Sequence, residues 1–412
     1  MNCQQNIDQG QSQEENNGVD CQLNQLPTSL RVEQSNQQEN ENQRFDAFEE
    51  FGVNKKIFSQ IIKEQMNLDV CYEDIEKLES LSLNIDKIDY VNQYIYTFKV
   101  ANTLSYLKSL KLIINLTTSF PQEFISKLNK QISFLYQISN LDVQLNIQKN
   151  TVIQEYLDQF SLAISNSMNL QSLNFSVESQ GINIEPLNLT SFLKCLNKLQ
   201  NLSSLSLIFR NFAKFQDQME IFGSEFKEIK NLKNLKLYFY PSPQDQLDLA
   251  LMFQQLEVQN KLVQLSLGFE FGNIQHKGIE VIMTYLQQLP CLRHLAIQIR
   301  DCKLGYQGGQ AFKDGFQSLQ NLEKLSFTLR NSYMGEKGYQ LVSEGFSYLL
   351  KLKQLEIITE DNLGTDYYES LTSTIPKLKH LLIVRFAFHC YNQKKVFQRS
   401  MKSIRLVLIF KN

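Results

Sequence analysis

The chain has no tryptophan, only four histidines and seven prolines in 412 residues, and each scarcity removes a class of chemistry. The histidines, at 276, 294, 380 and 389, form no HExxH pair and no Cys/His cluster of zinc spacing. His294 and His380 would both face the inner side of the array derived below, three units apart, too far to share a metal. The seven cysteines are scattered at 3, 21, 71, 195, 291, 302 and 390 without a CxxC. An odd, dispersed set suits reduced thiols in a cytosolic compartment and not a disulfide framework. Asn-x-Ser/Thr matches at Asn115 and Asn201 then read as chance. No apolar run is long enough to span a membrane, and Met1-Asn2-Cys3-Gln4-Gln5-Asn6 lacks the basic and apolar regions of a signal peptide. A formal charge of -2 supplies no global basic field for nucleic acid or acidic lipid. There is no GxSxG elbow, no Walker-type phosphate loop and no kinase signature, and the glycine-rich Gly305-Tyr306-Gln307-Gly308-Gly309 falls at a repeat turn. These absences set the expectation of a cytoplasmic, non-enzymatic chain with no cofactor or metal and with neither nucleic acid nor membrane as partner.

What the sequence has in abundance is one pattern. Leu292-Arg293-His294-Leu295-Ala296-Ile297-Gln298-Ile299 is followed thirty residues later by Leu322-Glu323-Lys324-Leu325-Ser326-Phe327-Thr328-Leu329, and after thirty more by Leu352-Lys353-Gln354-Leu355-Glu356-Ile357-Ile358-Thr359. The opening leucines at 202, 232, 262, 292, 322 and 352 keep that period, with earlier copies at Leu78, Leu107, Ile138 and Leu170. Copies at Leu378 and Met401 close the series at shorter spacing, for about twelve units. A fixed period of this size marks a solenoid. Alternating apolar residues give a strand with one buried face. The segment that follows, as in Ala311, Phe312, Phe316 and Leu319, carries an apolar helical stripe. Neither face is covered within one unit, so units stack, and because helices are wider than the strand spacing the stack curves with its strands inside.

The units resemble leucine-rich repeats, and among them the ribonuclease-inhibitor-like class with long, helix-bearing units. Leu304-Gly305-Tyr306-Gln307-Gly308-Gly309-Gln310-Ala311-Phe312-Lys313-Asp314-Gly315-Phe316 is similar to that class's turn and helix, as is the stretch from Met334 to Phe346. Gly278, Gly308 and Gly338 fall one period apart and predict a tight loop or close packing at the helix entrance. The resemblance implies an α/β fold, a curved leucine-rich-repeat solenoid with parallel strands on the concave face and helices on the convex face. The composition, heavy in Gln, Asn, Lys and Ile, resembles that of ciliate proteins. One departure stands out. The family's asparagine, nine positions into each unit, is replaced by Arg210, Tyr240, Glu270, Arg300, Arg330 and Glu360, with Asn211, Asp301, Asn331 and Asp361 one residue later. Either the strand runs one residue further, or the asparagine ladder is shifted or absent.

Three regions follow: a Gln/Asn-rich tail over 1–43, expected to be disordered, with a bias that could favour self-association; a helical cap over 44–77; and the array over 78–412. Phe45, Phe48, Phe51 (or Gly52), Ile57, Phe58, Ile61, Ile62 and Met66 have helical spacing, and capping the first unit is preferred to a separate binding helix. At the other end, the apolar strand Ile404–Phe410 is an edge that implies a covering partner, self-pairing or a truncated chain. Strand residues outside the apolar set line the concave wall, and Tyr and Arg are enriched among interface anchors. Tyr238, Tyr240, Arg300 and Arg330 are therefore the candidate protein-contact residues. The leading functional expectation is a scaffold that binds a protein ligand in its concave face. A GTPase-activating array of Ran-GAP type and a substrate-recognition subunit of a ubiquitin ligase are the alternatives.

Overall fold

The structure, a computed structural model, describes residues 77–85, 91–116, 122–147, 153–179, 187–212, 215–226, 228–241, 252–253, 259–270, 274–359, 363, 365–387 and 407–411. All of them belong to one compact unit, Phe45–Asn412. The expected tail over 1–43 and the capping helix over 45–66 lie outside the described residues.

Twelve strands form one sheet in strict sequence order. They are β1 (Ser80–Ile85), β2 (Ser109–Leu116), β3 (Asn140–Ile147), β4 (Ser172–Ser179), β5 (Ser204–Arg210), β6 (Asn234–Tyr240), β7 (Gln264–Glu270), β8 (His294–Arg300), β9 (Lys324–Arg330), β10 (Gln354–Thr359), β11 (Ile383–Ala387) and β12 (Val407–Lys411). Every neighbouring pair is parallel. Helices return the chain between strands: α1 (Val91–Ala101), α2 (Gln122–Ile132), α3 (Ile153–Ile164), α4 (Thr190–Leu196), α5 (Met219–Phe226), α6 (Gln275–Leu286), α7 (Gly305–Phe316), α8 (Gly335–Phe346) and α9 (Thr365–Thr374). This is a curved leucine-rich-repeat solenoid, with the strands on the concave face and the helices on the convex face.

Register explains why the repeat folds as it does. Leu205, Leu235, Leu265, Leu295, Leu325 and Leu355 are partners across adjacent strands, and all are at most 2% exposed. Two residues further along lies a parallel column of Leu207, Leu237, Leu267, Ile297, Phe327 and Ile357. Phenylalanines form a spine through the middle units: Phe175, Phe209, Phe239 and Phe269 follow one another at ring separations of 6.3, 6.3 and 6.4 Å. Later, Phe327 is clasped edge-on by Phe312, Phe316 and Phe346 from α7 and α8, at 4.9, 6.0 and 5.9 Å. Burying a ring of this size contributes roughly 2–3 kcal/mol, so each phenylalanine of the spine adds to what the leucine columns supply.

The departure in the asparagine position is resolved by the backbone. The strand does run one residue further: β5, β8 and β9 end on Arg210, Arg300 and Arg330. The next residues, Asn211, Asp301 and Asn331, turn the chain at φ of 63°, 51° and 48°, a left-handed conformation that Asn and Asp tolerate. Their side chains tie units together, Asn211 Nδ2 donating to the Ser179 carbonyl at 2.8 Å and Asn331 Nδ2 to Asp301 Oδ1 at 2.7 Å. A second ladder sits where each helix turns into the next strand. Asn169, Asn201 and Asn231 each donate to a carbonyl of the preceding unit, those of Tyr136, Met168 and Gln200, at 2.8, 2.7 and 3.0 Å. The residue before the first leucine carries this ladder, and the sequence pattern did not single it out.

Two frames differ from the expectation. Gln354 pairs with Ile383 and Leu355 with Val384, so the eleventh unit opens at Leu381, three residues after the expected Leu378. His380 therefore lies exposed in the preceding turn and not on the inner face. In β12, Val407 pairs with Ile383, placing Leu408 and Phe410 in register with Val384 and Phe386, four residues from the Met401 frame. The eleventh segment holds leucines at 378, 381 and 382, and only strand pairing decides which set faces the core. The period-spaced glycines lie inside the first turns of α6, α7 and α8. Gly309, next to Gly308, meets Gly338 of α8 so closely that an added Cβ would lie 2.7 Å from the Gly338 Cα and carbonyl carbon and nearer still to its oxygen.

Candidate functional site

Four outward columns run across the concave wall, one for each non-core strand position. On β1–β4 the last columns are amide-rich: Asn146 donates to Asn115 at 2.7 Å and Asn115 to Asn84 at 3.2 Å. Asn174 donates to Asp142 at 2.6 Å, and Lys111 stands 3.7 Å from the same carboxylate. That part of the wall satisfies itself.

The wall changes character from β5 onward. The strand-end column holds Arg210, Tyr240, Glu270, Arg300 and Arg330 on five successive strands, with Arg210 opposite Tyr240, Glu270 opposite Arg300 and Arg300 opposite Arg330. Two residues back along β6 is Tyr238, and its neighbour on β7 is Gly268. The tyrosine ring lies across that glycine: a Cβ there would stand 2.8 Å from Tyr238 Cγ and Cδ1. Gly268, flanked by Ser266 and Ala296 in the adjoining column, makes a shallow trough that the ring partly fills. Lys236 places its ammonium 4.6 Å from the Tyr238 ring centre, and Tyr238 meets Tyr240 edge-on at 5.9 Å. On the far side the Arg210 guanidinium stacks over the Tyr240 ring at 3.9 Å, with Glu178 at 3.9 Å behind it. Such cation–π contacts contribute roughly 0.5–2 kcal/mol and fix the orientation of both partners.

Of the four residues expected to make contact, the structure brings Tyr238, Tyr240 and Arg300 around one spot and sets Arg330 on the next strand. Tyr238 and Arg300 are half-buried and Arg330 is exposed. Tyr240 is different: only 3% of its surface is exposed, and its hydroxyl has no hydrogen-bond partner among the described residues. It supports the patch from beneath, because Arg210 and Tyr238 cover it. Gln298, with its amide turned so that the carbonyl oxygen faces the guanidinium, accepts from Arg300 Nε and Nη2 at 3.0 and 3.2 Å. Burial pushes the Tyr240 hydroxyl up to about 12, opposed by Arg210 and Arg300. It raises Tyr238 as well, against the same two arginines. Burial, and then Arg210, hold the Lys236 ammonium below the usual lysine range.

Sequence reasoning did not single out Arg210, Lys236 or Lys324 as members of this group. With Arg300 and Arg330 they make five cations on the concave positions of β5–β9, against one carboxylate, Glu270. Each unit contributes one or two charges some thirty residues from the next, so nothing in a linear scan looks basic. Among the described residues no group of three or more His, Cys, Asp or Glu side chains could hold a metal ion, and no helix is long and apolar enough to cross a membrane.

Neither the protein-family models nor the curated proteins give a match to this sequence. Solved structures with a similar trace include the Rad7–Elc1 complex of yeast, at 15% identity and a TM-score of 0.38, covering 86% of this chain and 91% of that one. The leucine-rich repeat-containing protein LegL7 from Legionella pneumophila is similar at 14% identity and a TM-score of 0.42, covering 78% of this chain and 98% of its own. The TLR13–ssRNA13 complex is similar at 16% identity and 0.36, covering 87% of this chain and 56% of the other. At these values the likeness assigns no role to any residue.

Proposed function

We propose that this chain is a non-enzymatic, cytoplasmic scaffold of the ribonuclease-inhibitor-like, ciliate-type repeat class that holds a protein ligand in its concave face. The observation that supports the reading is the contrast along the wall: β1–β4 close their polar groups on one another, while β6–β9 present Tyr238, Arg300 and Arg330 over a trough of small residues. Aromatic and arginine side chains supply contact area at low conformational cost, which is why they anchor interfaces. The readings as a GTPase-activating array or a ubiquitin-ligase receptor have no observation here in their favour.

The test is capture from native cytosol with the full chain, beside a variant carrying Tyr238→Ala, Arg300→Ala and Arg330→Ala. Tyr240 is left intact because emptying a 3%-exposed position would open a cavity and confuse folding with binding. A protein recovered by the wild type and lost from the variant is the expected result. Recovery of the same protein by both places binding off this patch, and recovery by neither speaks against the reading.

A further inference from the structure

We propose that the segment gripped by this wall is acidic: an extended, carboxylate-bearing stretch of a partner protein lying across β6–β9. The inference rests on the concave-scaffold reading and specifies the chemistry of its ligand. The chain as a whole carries a formal charge of -2, yet the outward positions of β5–β9 hold five cations against one carboxylate: Arg210, Arg300 and Arg330 share the strand-end column with Glu270, Lys236 lies four residues back from that column on β6, and Lys324 opens β9. Adjacent strands are about 4.8 Å apart, so β6–β9 span about 14 Å, the reach of about four extended residues. Arg300 bonds the neutral amide of Gln298 and makes no ion pair among the described residues. Arg330 is its register partner on β9, so two guanidinium-bearing positions stand side by side. A carboxylate laid over Arg300 is within the field of both positions, and guanidinium–carboxylate hydrogen bonds are among the stronger ones.

Geometry favours a peptide over a nucleic acid. Glu270 interrupts the strand-end column between Tyr240 and Arg300, and Glu178 flanks the column beyond Arg210. A phosphate backbone carries a charge at every nucleotide and would run over these carboxylates. A peptide can space its acids to fall on β8 and β9 and lay an apolar or neutral residue over the Tyr238 ring and the Gly268 trough.

The experiment uses the full chain and fluorescence anisotropy with three short labelled peptides: alternating Glu and Ala, the same with Gln for Glu, and the same with Lys for Glu. A single-stranded oligouridine is the fourth probe. The Glu peptide should bind about tenfold more tightly than the Gln peptide, weaken as salt is raised, and lose about tenfold with Arg300→Glu plus Arg330→Glu. Glu270→Gln should strengthen Glu-peptide binding several-fold, a gain that a misfolded variant cannot imitate. Equal binding of the Gln peptide, no binding of any peptide, tighter binding of the oligouridine, or no gain from Glu270→Gln overturns the proposal. If the cytosolic partner is lost with the Tyr238→Ala, Arg300→Ala, Arg330→Ala variant but is unmoved by the charge reversals, the concave reading stands and the acidic-ligand inference alone falls.

Discussion

The helix layer can be tested with one methyl group. Gly309 of α7 faces the backbone of Gly338 in α8, and an added Cβ would lie 2.7 Å from two of its backbone atoms and closer still to its oxygen. Ordinary contact begins near 3.4 Å, so Gly309→Ala must push the two helices apart by several tenths of an ångström along a packed interface, where no flexible side chain can swing aside. Overpacking of this kind costs about 1–3 kcal/mol, and the upper half applies because the obstacle is main chain. Against it stands the helical preference of Ala over Gly, about 1 kcal/mol in favour of the variant. The two terms have opposite signs, so the sign of the result decides between them: the expected net is destabilisation of about 1–2 kcal/mol. Urea unfolding followed by circular dichroism measures it, comparing midpoints at unchanged slope, since repeat arrays need not unfold in one step. Gly335→Ala is the companion variant. Gly335 sits at φ +64° with open space around its Cα, so only the left-handed backbone cost of about 1 kcal/mol applies. A Gly309→Ala protein as stable as the wild type, or more so, would mean that α7 and α8 do not meet there.

Two buried tyrosines should respond to the same change with opposite signs. Tyr156 is fully buried with no partner for its hydroxyl among the described residues, so Tyr156→Phe should stabilise by about 1 kcal/mol or more; Tyr339 shares a buried 2.9 Å hydrogen bond with Ser332, so Tyr339→Phe should cost about 1 kcal/mol. Urea midpoints that move together would refute the assignment. For pH, Tyr240 is raised from 10.0 to about 12 by burial. The unfolded chain releases that proton first, so this contribution to stability is intact below about 10 and declines as pH climbs toward 12. Tyr240→Phe should make the alkaline fall in melting temperature shallower, and an unaltered slope would show the hydroxyl to be solvated. Finally, Gly268→Ala should lift the Tyr238 ring off the trough, detected as greater quenching of tyrosine fluorescence by iodide and weaker partner capture, with stability nearly unchanged because a surface ring can swing away.

How much of this was legible in the sequence depends on how far apart the deciding residues lie. A strand is readable from Leu325-Ser326-Phe327-Thr328-Leu329 because its alternation is local, and a helix from Ala311, Phe312 and Phe316 for the same reason. The frame of the eleventh unit was not, because Leu378, Leu381 and Leu382 offer competing openings, and only the pairing of Gln354 with Ile383 selects Leu381. The asparagine ladder was half legible. Asn211, Asp301 and Asn331 were visible as displaced residues, but a positive φ, which makes the displacement a longer strand and not a lost ladder, is a property of the backbone.

The candidate site shows the same limit more sharply. Tyr238 and Tyr240 differ by two positions on one strand, and period-two alternation puts both on the concave side. One became a surface residue and the other a buried one because of what neighbouring units supply: Arg210 from β5 lies over Tyr240, while Gly268 from β7 offers Tyr238 a bed with no side chain to bury it. Charge behaves likewise. Arg210, Lys236, Arg300, Lys324 and Arg330 are dilute along the chain and concentrated only where parallel pairing sets one strand about 4.8 Å from the next. In an array of this kind the core columns repeat because stacking demands it, whereas the outward columns are free to vary. On the proposed concave-face reading, what the protein recognises is written across the repeats, in the residues that break the pattern.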